Sequence, residues 1–381
     1  MEQIKEGFDV IRPYAGDEVQ EAVQRVVLHP LFKGMLQYLF GENRVHEAIE
    51  DFKTIDTIES FQAKFSSHAV RRVVEKTADS FSFGGLENLD PSKGYLFVSN
   101  HRDIVLDSAI MQWVLLDNGH RTSQITFGSN LMSSQFIVDL GKLNKMFTLY
   151  RGGSRIEQYR NALLHSAYIR HTVSGQNESV WIAQRDGRTK DGDDKTQVAL
   201  IKMFALGDKD VCRSLETLNI VPISISYEYE PCAITKVREC YTRAMGNTYV
   251  KHPNEDFESV MNGITGKKGR VHMEFGKPLN EFLRTLSESD LDQNERSLQI
   301  AAEIDRQIYL SYKLNAFNYI AFDRLKGNSN HSGTFYSIED VELFDAHRKV
   351  VTDSLEGDAD MLKGIFLKMY ASPLANKLSV S

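Results

Sequence analysis

The sequence predicts an α/β fold: a central, mostly parallel sheet flanked by helices, with helical N- and C-terminal extensions. Three observations carry that expectation. From about residue 81 to residue 280, short apolar strands alternate with helices, which is the pattern of a sheet covered by helices. Before and after that stretch the apolar residues follow helical spacing instead. The 381 residues, 41% hydrophobic and 25% charged, also supply enough chain for a substantial core. The expected organisation is a helical N-terminal region over 1–80, an α/β domain over 81–280 and a helical C-terminal extension over 281–381.

In the N-terminal region "DEVQEAVQRVV" and "TIESFQAKFSSHAVRRVVEKTA" both have helical apolar periodicity. Between them lies "VVLHPLFKGMLQYLFG", Val26 to Gly41, interrupted by His29, Pro30 and Lys33. A stripe of Val27, Leu31, Met35 and Leu39 would suit either a core-packed helix or one lying on a bilayer surface. The start, "MEQIKEGFDVIRPY", lacks the apolar core of a signal peptide. No apolar run is long enough to predict a transmembrane helix.

Strands are expected at 94–99, 123–128, 146–151, 179–184, 219–229 and 270–276, with helices at 104–116, 155–172 and 195–206 among those between them. In the C-terminal extension, "SLQIAAEIDRQIYLSYKLNAFNYIAFDRL" is the clearest helical pattern.

Composition narrows the function. A net charge of -7 gives no reason to expect nucleic acid as a partner. Cys212, Cys232 and Cys240 are too few and too unevenly spaced for a disulfide framework or a zinc site, and fit a reducing cytoplasm. The tripeptide "HRD" at 101–103 matches a kinase catalytic loop, but Ser108 stands where that loop needs a metal-holding Asn. Neither "DFG" nor "APE" follows, so a kinase is excluded.

The same stretch, "VSNHRDIVLDSA", admits another reading. The strand "GYLFVS" would deliver His101 to the carboxyl end of the sheet, where α/β sites form. A His near neutrality can take a proton from a hydroxyl, and a carboxylate on its other nitrogen fixes the tautomer. Asp103 fits an N-cap, with a helix from Ile104 to about Leu116, and Asp107 then sits among apolar neighbours in its first turn. A carboxylate there needs a partner, and His101 is the nearest. Alternatively, Asp107 is a favourable charge at a helix start and His101 an ordinary loop residue.

Four blocks of this sequence resemble, in order, those of the glycerol-phosphate and lysophospholipid acyltransferases, over roughly residues 80 to 280. "NHRDIVLD" is similar to the family's Asn-His, four residues, Asp, with one residue extra. "FTLYRGG" resembles the second block, "VWIAQRDGRTKDG" the third and "NIVPISISYE" the fourth, through Pro222. The resemblance implies that His101 is the general base, that Asp107 orients it, and that Arg151 binds the acceptor. It also implies substrate-binding roles for Asn100, Asp186, Gly187 and Arg188. Two departures matter. The extra residue would rotate Asp107 by about 100° if helix began at His101, which leaves Asp103 as the other candidate partner. Asp186 stands where the family has Glu, one methylene longer.

Arg151, Arg155, Arg185, Arg188 and Lys190 cluster in the second and third blocks. Arginine forks match phosphate, and Gly152, Gly153 and Gly187 would let backbone approach an anion. For Lys190 and Lys195, in the alternating "RTKDGDDK", a solvated loop is the expectation. The implied activity is transfer of a fatty acyl group from acyl-CoA or acyl-carrier protein to a hydroxyl of a glycerol-phosphate or lysolipid acceptor. No metal or cofactor beyond the thioester co-substrate is expected, and the location expected is cytoplasmic, at most peripheral at the inner face of a membrane. A thioester hydrolase using water, or a non-enzymatic lipid-binding module, are the competing readings.

Overall fold

The computed structural model describes residues 2–381, with side chains from residue 7. Seven strands form one sheet: β1 (Ala78–Gly84), β2 (Leu96–Ser99), β3 (Gln124–Gly128), β4 (Met146–Leu149), β5 (Val180–Ala183), β6 (Ile220–Tyr227) and β7 (Gly269–Phe275). Their order is β1-β7-β6-β2-β5-β3-β4. The five strands from β6 to β4 are mutually parallel, β7 runs antiparallel to β6, and β1 runs with β7. The carboxyl ends of β2, β4, β5 and β6 therefore open on one side of the sheet, and all four sequence blocks arrive there.

Strand alternation sends successive residues to opposite faces. Phe97, Trp181 and Val221 pack on one side with the helices of residues 17–77 and the helix Leu106–Asp117. Leu96, Val98, Val180 and Ile182 pack on the other, against Ile169, Ile201, Leu215, Ile300 and Ile304. Burial on both faces explains why the central strands read as continuous apolar runs. A third core, around Phe317, Phe344 and Phe366, joins the helices Ala316–Lys326, Ile338–Thr352 and Ala359–Val380 to Val237.

Three expectations change. β1 was not among the expected strands: "ADSFSFG" has only two large apolar residues, as suits an edge strand whose outer positions face water. The pattern over 297–325 is two helices, Gln293–Ser311 and Ala316–Lys326, broken where the Asn315 N–H donates to Asn318 Oδ1 at 2.9 Å in a new capping box. Val26 to Gly41 is not one helix either, because Pro30 starts a second one, Pro30–Phe40, after Asp17–Leu28. Its buried face is Phe32, Leu36 and Leu39, while Leu28 and Leu31 are 83% and 54% exposed. Among the described residues no helix is long and apolar enough to cross a membrane.

Candidate active site

β2 ends at Ser99, and Asn100 extends its ladder with a side chain. Asn100 Nδ2 donates to the Ile225 carbonyl and to Asp194 Oδ2, both at 3.0 Å, and its Oδ1 accepts from the Ile225 N–H at 2.8 Å. Fully buried, with both ends of its amide spent on the protein, Asn100 holds the loop rather than facing an open site. This corrects the substrate contact expected of it.

The chain then turns through His101–Val105, and helix begins at Leu106, not at Ile104. That turn absorbs the extra residue and brings Asp107 beneath the imidazole. His101 Nδ1 lies 2.8 Å from Asp107 Oδ2. A carboxylate oxygen only accepts, so Nδ1 carries the proton and the Nε2 lone pair is free. The ring, 15% exposed at its side chain, meets Trp181 edge to face at 5.6 Å.

Asp107 is buried and fully partnered. Its Oδ2 also accepts from the N–H groups of Arg102 (2.6 Å) and Asp103 (2.9 Å), and its Oδ1 from the Tyr227 hydroxyl (2.8 Å). Burial, then the charge of Asp107, holds the Tyr227 phenol well above its ordinary pKa, so it stays a donor.

Asp103 does something else. Its Oδ1 accepts from the N–H groups of Val105 (2.9 Å) and Leu106 (2.8 Å), but the N-cap is Val105 and not Asp103, because the helix starts two residues later than expected. Its Oδ2 is buried without a partner and abuts Gly263, where a Cβ would come within 2.4 Å. Burial, with the neighbouring Asp107 charge, raises the Asp103 carboxyl pKa. Nearby Lys268 is pushed down to about 8 by burial, although the Asp103 charge opposes that shift.

The second block places Arg151 just past β4. Gly152 and Gly153 take left-handed φ values of 81° and 85° there and lead into the helix Arg155–Arg170, capped by Ser154 and Glu157. Gly128 leaves room for the Arg151 side chain, since a Cβ there would come 3.0 Å from its Nε. Arg151 forms an ion pair with Asp186 of the third block, and both are exposed. Gly187, with φ of 72°, turns the chain back inward.

Arg188 is then 93% buried, with Nη2 3.2 Å from Ser259 Oγ and Nη1 without a hydrogen-bond partner. Among the described residues it has no carboxylate in ion-pair contact. A buried cation so placed suits an anion. The solvated loop expected of the following run holds at the exposed Lys195 but not at Lys190, which lies 2.7 Å from Glu239, while Thr189 and Asp194 are fully buried. Thr189 also ties this block to the first, its N–H donating to the His101 carbonyl at 2.8 Å.

The geometry thus unites His101 with Asp107, and Arg151 with Asp186, at one end of the sheet. Arg102, Asp194, Tyr227, Glu230 and Lys236 were not expected; they come from distant segments without a shared motif. A cavity of about 600 Å³ lies at the other end of the sheet, beside Gln124, Lys145 and Glu178, away from these groups.

A histidine held by a buried carboxylate therefore lies at the carboxyl end of the central strands, near a buried arginine that has no carboxylate partner among the described residues. The family model described as Acyltransferase matches residues 80–226, a segment that holds the first three blocks and the fourth through Ser226. Residues 80–226 thus carry an acyltransferase domain. A similar solved structure is the 1-acyl-sn-glycerophosphate (LPA) acyltransferase PlsC from Thermotoga maritima, 12% identical, covering 74% of this chain and 94% of that one, with a TM-score of 0.37. No curated protein matches the sequence.

Proposed function

We propose that the enzyme moves a fatty acyl group from an acyl thioester, acyl-CoA or acyl-carrier protein, to a hydroxyl of a glycerol-phosphate or lysolipid acceptor. The observation that carries the reading is the His101–Asp107 contact with Nε2 left free. In this mechanism Nε2 takes the acceptor hydroxyl proton as the oxygen attacks the thioester carbonyl. Asp107 stabilises the imidazolium that forms. Collapse of the tetrahedral intermediate breaks the C–S bond, and the imidazolium returns its proton to the leaving thiolate. Water in place of the acceptor would give hydrolysis by the same steps.

Arg188 supports phosphate binding because it is buried without a countercharge. Arg151 is the second phosphate ligand in this reading. Its exposed pair with Asp186 is worth about 0–1 kcal/mol, so an anionic acceptor can displace it. Gly187 lets the chain pass between these two residues. No cofactor is needed beyond the thioester.

Peripheral membrane contact fits the exposed Leu28 and Leu31. His29 between them stacks on Phe136 at 4.1 Å, and Phe136 lies in the helix Gln135–Leu143 that follows β3. Exposed Ile156 and Tyr159 flank Arg155 and Arg160 beyond β4, which gives the same end an apolar and basic rim suited to a lipid surface. The test is purified enzyme with radiolabelled acyl-CoA and a panel of lysolipids and glycerol-phosphate. Acceptor-dependent ester formation is the expected result. Thiol release that ignores every acceptor would assign a hydrolase instead.

A further inference from the structure

Arg102 follows the general base and enters none of the steps above, yet it is 96% buried and held at three points. Its side chain meets Asp194 through Nε at 3.1 Å and through Nη2, and Glu230 through Nη1 at 3.0 Å. Its carbonyl accepts from Lys236 Nζ at 2.7 Å, and its own N–H donates to Asp107. Lys236 also pairs with Glu230, so two cations and two carboxylates balance. Burial disfavours the Arg102 charge, but Asp194 and Glu230 hold its pKa well above the ordinary value.

The C-terminal helices reach this cluster at two points. The Tyr312 hydroxyl donates to Asp194 Oδ2 at 2.7 Å, and the Glu230 N–H donates to Tyr370 Oη at 2.8 Å. Glu230, Lys236, Tyr312 and Tyr370 all lie beyond the matched segment 80–226.

We propose that Arg102 is a positioning residue for the His101–Asp107 pair, and that the C-terminal helices fix it through Tyr312 on Asp194 and Tyr370 on Glu230. The charge cluster sets the course of the backbone at residues 101–103, and that course aims the Arg102 and Asp103 N–H groups at Asp107. The proposal rests on the catalytic roles given above to His101 and Asp107.

Removing the Arg102 charge would leave the buried Asp194 carboxylate without a cation and endanger folding, so the variants are Arg102→Lys and Tyr312→Phe in the full chain. Arg102→Lys should lower kcat about ten- to a hundredfold, the scale of a misplaced catalytic group, with KM for both substrates unchanged. Tyr312→Phe should lower kcat less, in the same manner, with Tm held within a few degrees. Amide hydrogen exchange at Arg102 and Asp103 should speed up in both variants. This readout is independent of acyl transfer, so it stands even if the proposed reaction fails. Wild-type exchange at these amides together with wild-type kcat in Arg102→Lys would overturn the proposal.

Discussion

His101 can act as a base only while Asp107 keeps its ring in one tautomer, and Asp107 is itself held by three further donors. Tyr227 is the one of these whose donor is a side chain. Tyr227→Phe should therefore cost about 1–3 kcal/mol of transition-state stabilisation, read as lower kcat at constant KM. The Arg151–Asp186 pair makes a two-sided prediction. Arg151→Ala should raise KM for an anionic acceptor about ten- to hundredfold, from the loss of about 1.5–3 kcal/mol. Asp186→Asn frees the same guanidinium and should lower that KM; a rise in both variants would make the pair a joint structural unit. The His101–Asp107 contact was legible because both residues sit in one short block. Asn100 and Asp194 were not. The family resemblance implied a substrate-binding role for Asn100, and the alternating charges of "RTKDGDDK" suggested solvent for the run that holds Asp194. What buries them are partners some ninety or more residues away.

Among elements, the helix Leu106–Asp117 sets the site by where it starts. Asp103→Ala removes the acceptor of the Val105 and Leu106 N–H groups and should cost about 1 kcal/mol of stability by denaturant titration. It should leave acyl transfer far less affected than Asp107→Asn does, since Asp103 makes no contact with His101. The corner between Asp17–Leu28 and Pro30–Phe40 makes a separate prediction. Leu31→Glu should leave Tm unchanged, because Leu31 packs little, yet weaken sedimentation with anionic vesicles. Equal vesicle binding by both proteins would remove this corner from the membrane reading. The six expected strands were legible because each is a dense apolar run bounded by polar residues. β1 was hidden by its serines, and the break at Asn315 by the absence of any Gly or Pro: a capping side chain, not a helix breaker, stops the pattern there.

For the whole molecule, buried His165 and half-buried His347 contribute to acid stability. Burial pushes both His165 and His347 down to about 4. Neutral His165 Nε2 accepts from the Tyr150 N–H at 3.2 Å, and His347 Nε2 lies 2.8 Å from the Tyr370 hydroxyl. Unfolding raises each pKa to about 6.5, so the unfolded chain binds more protons between pH 4 and 6.5. Their contribution is complete above that window and is lost as pH falls through it, by about 1.4 kcal/mol per pH unit for each group. His165→Gln should flatten the fall in stability between pH 6.5 and 4.5 by one such contribution, measured by urea titration at each pH. An unchanged slope would mean that His165 protonates freely in the fold. The claim on which the functional account turns is that His101 removes the acceptor proton. Its most direct measurement is the acyl-transfer rate of purified His101→Ala beside the wild type, with Tm recorded for both. A rate lower by about two to four orders of magnitude at unchanged Tm is expected. A His101→Ala enzyme that folds and transfers acyl groups at the wild-type rate would contradict it.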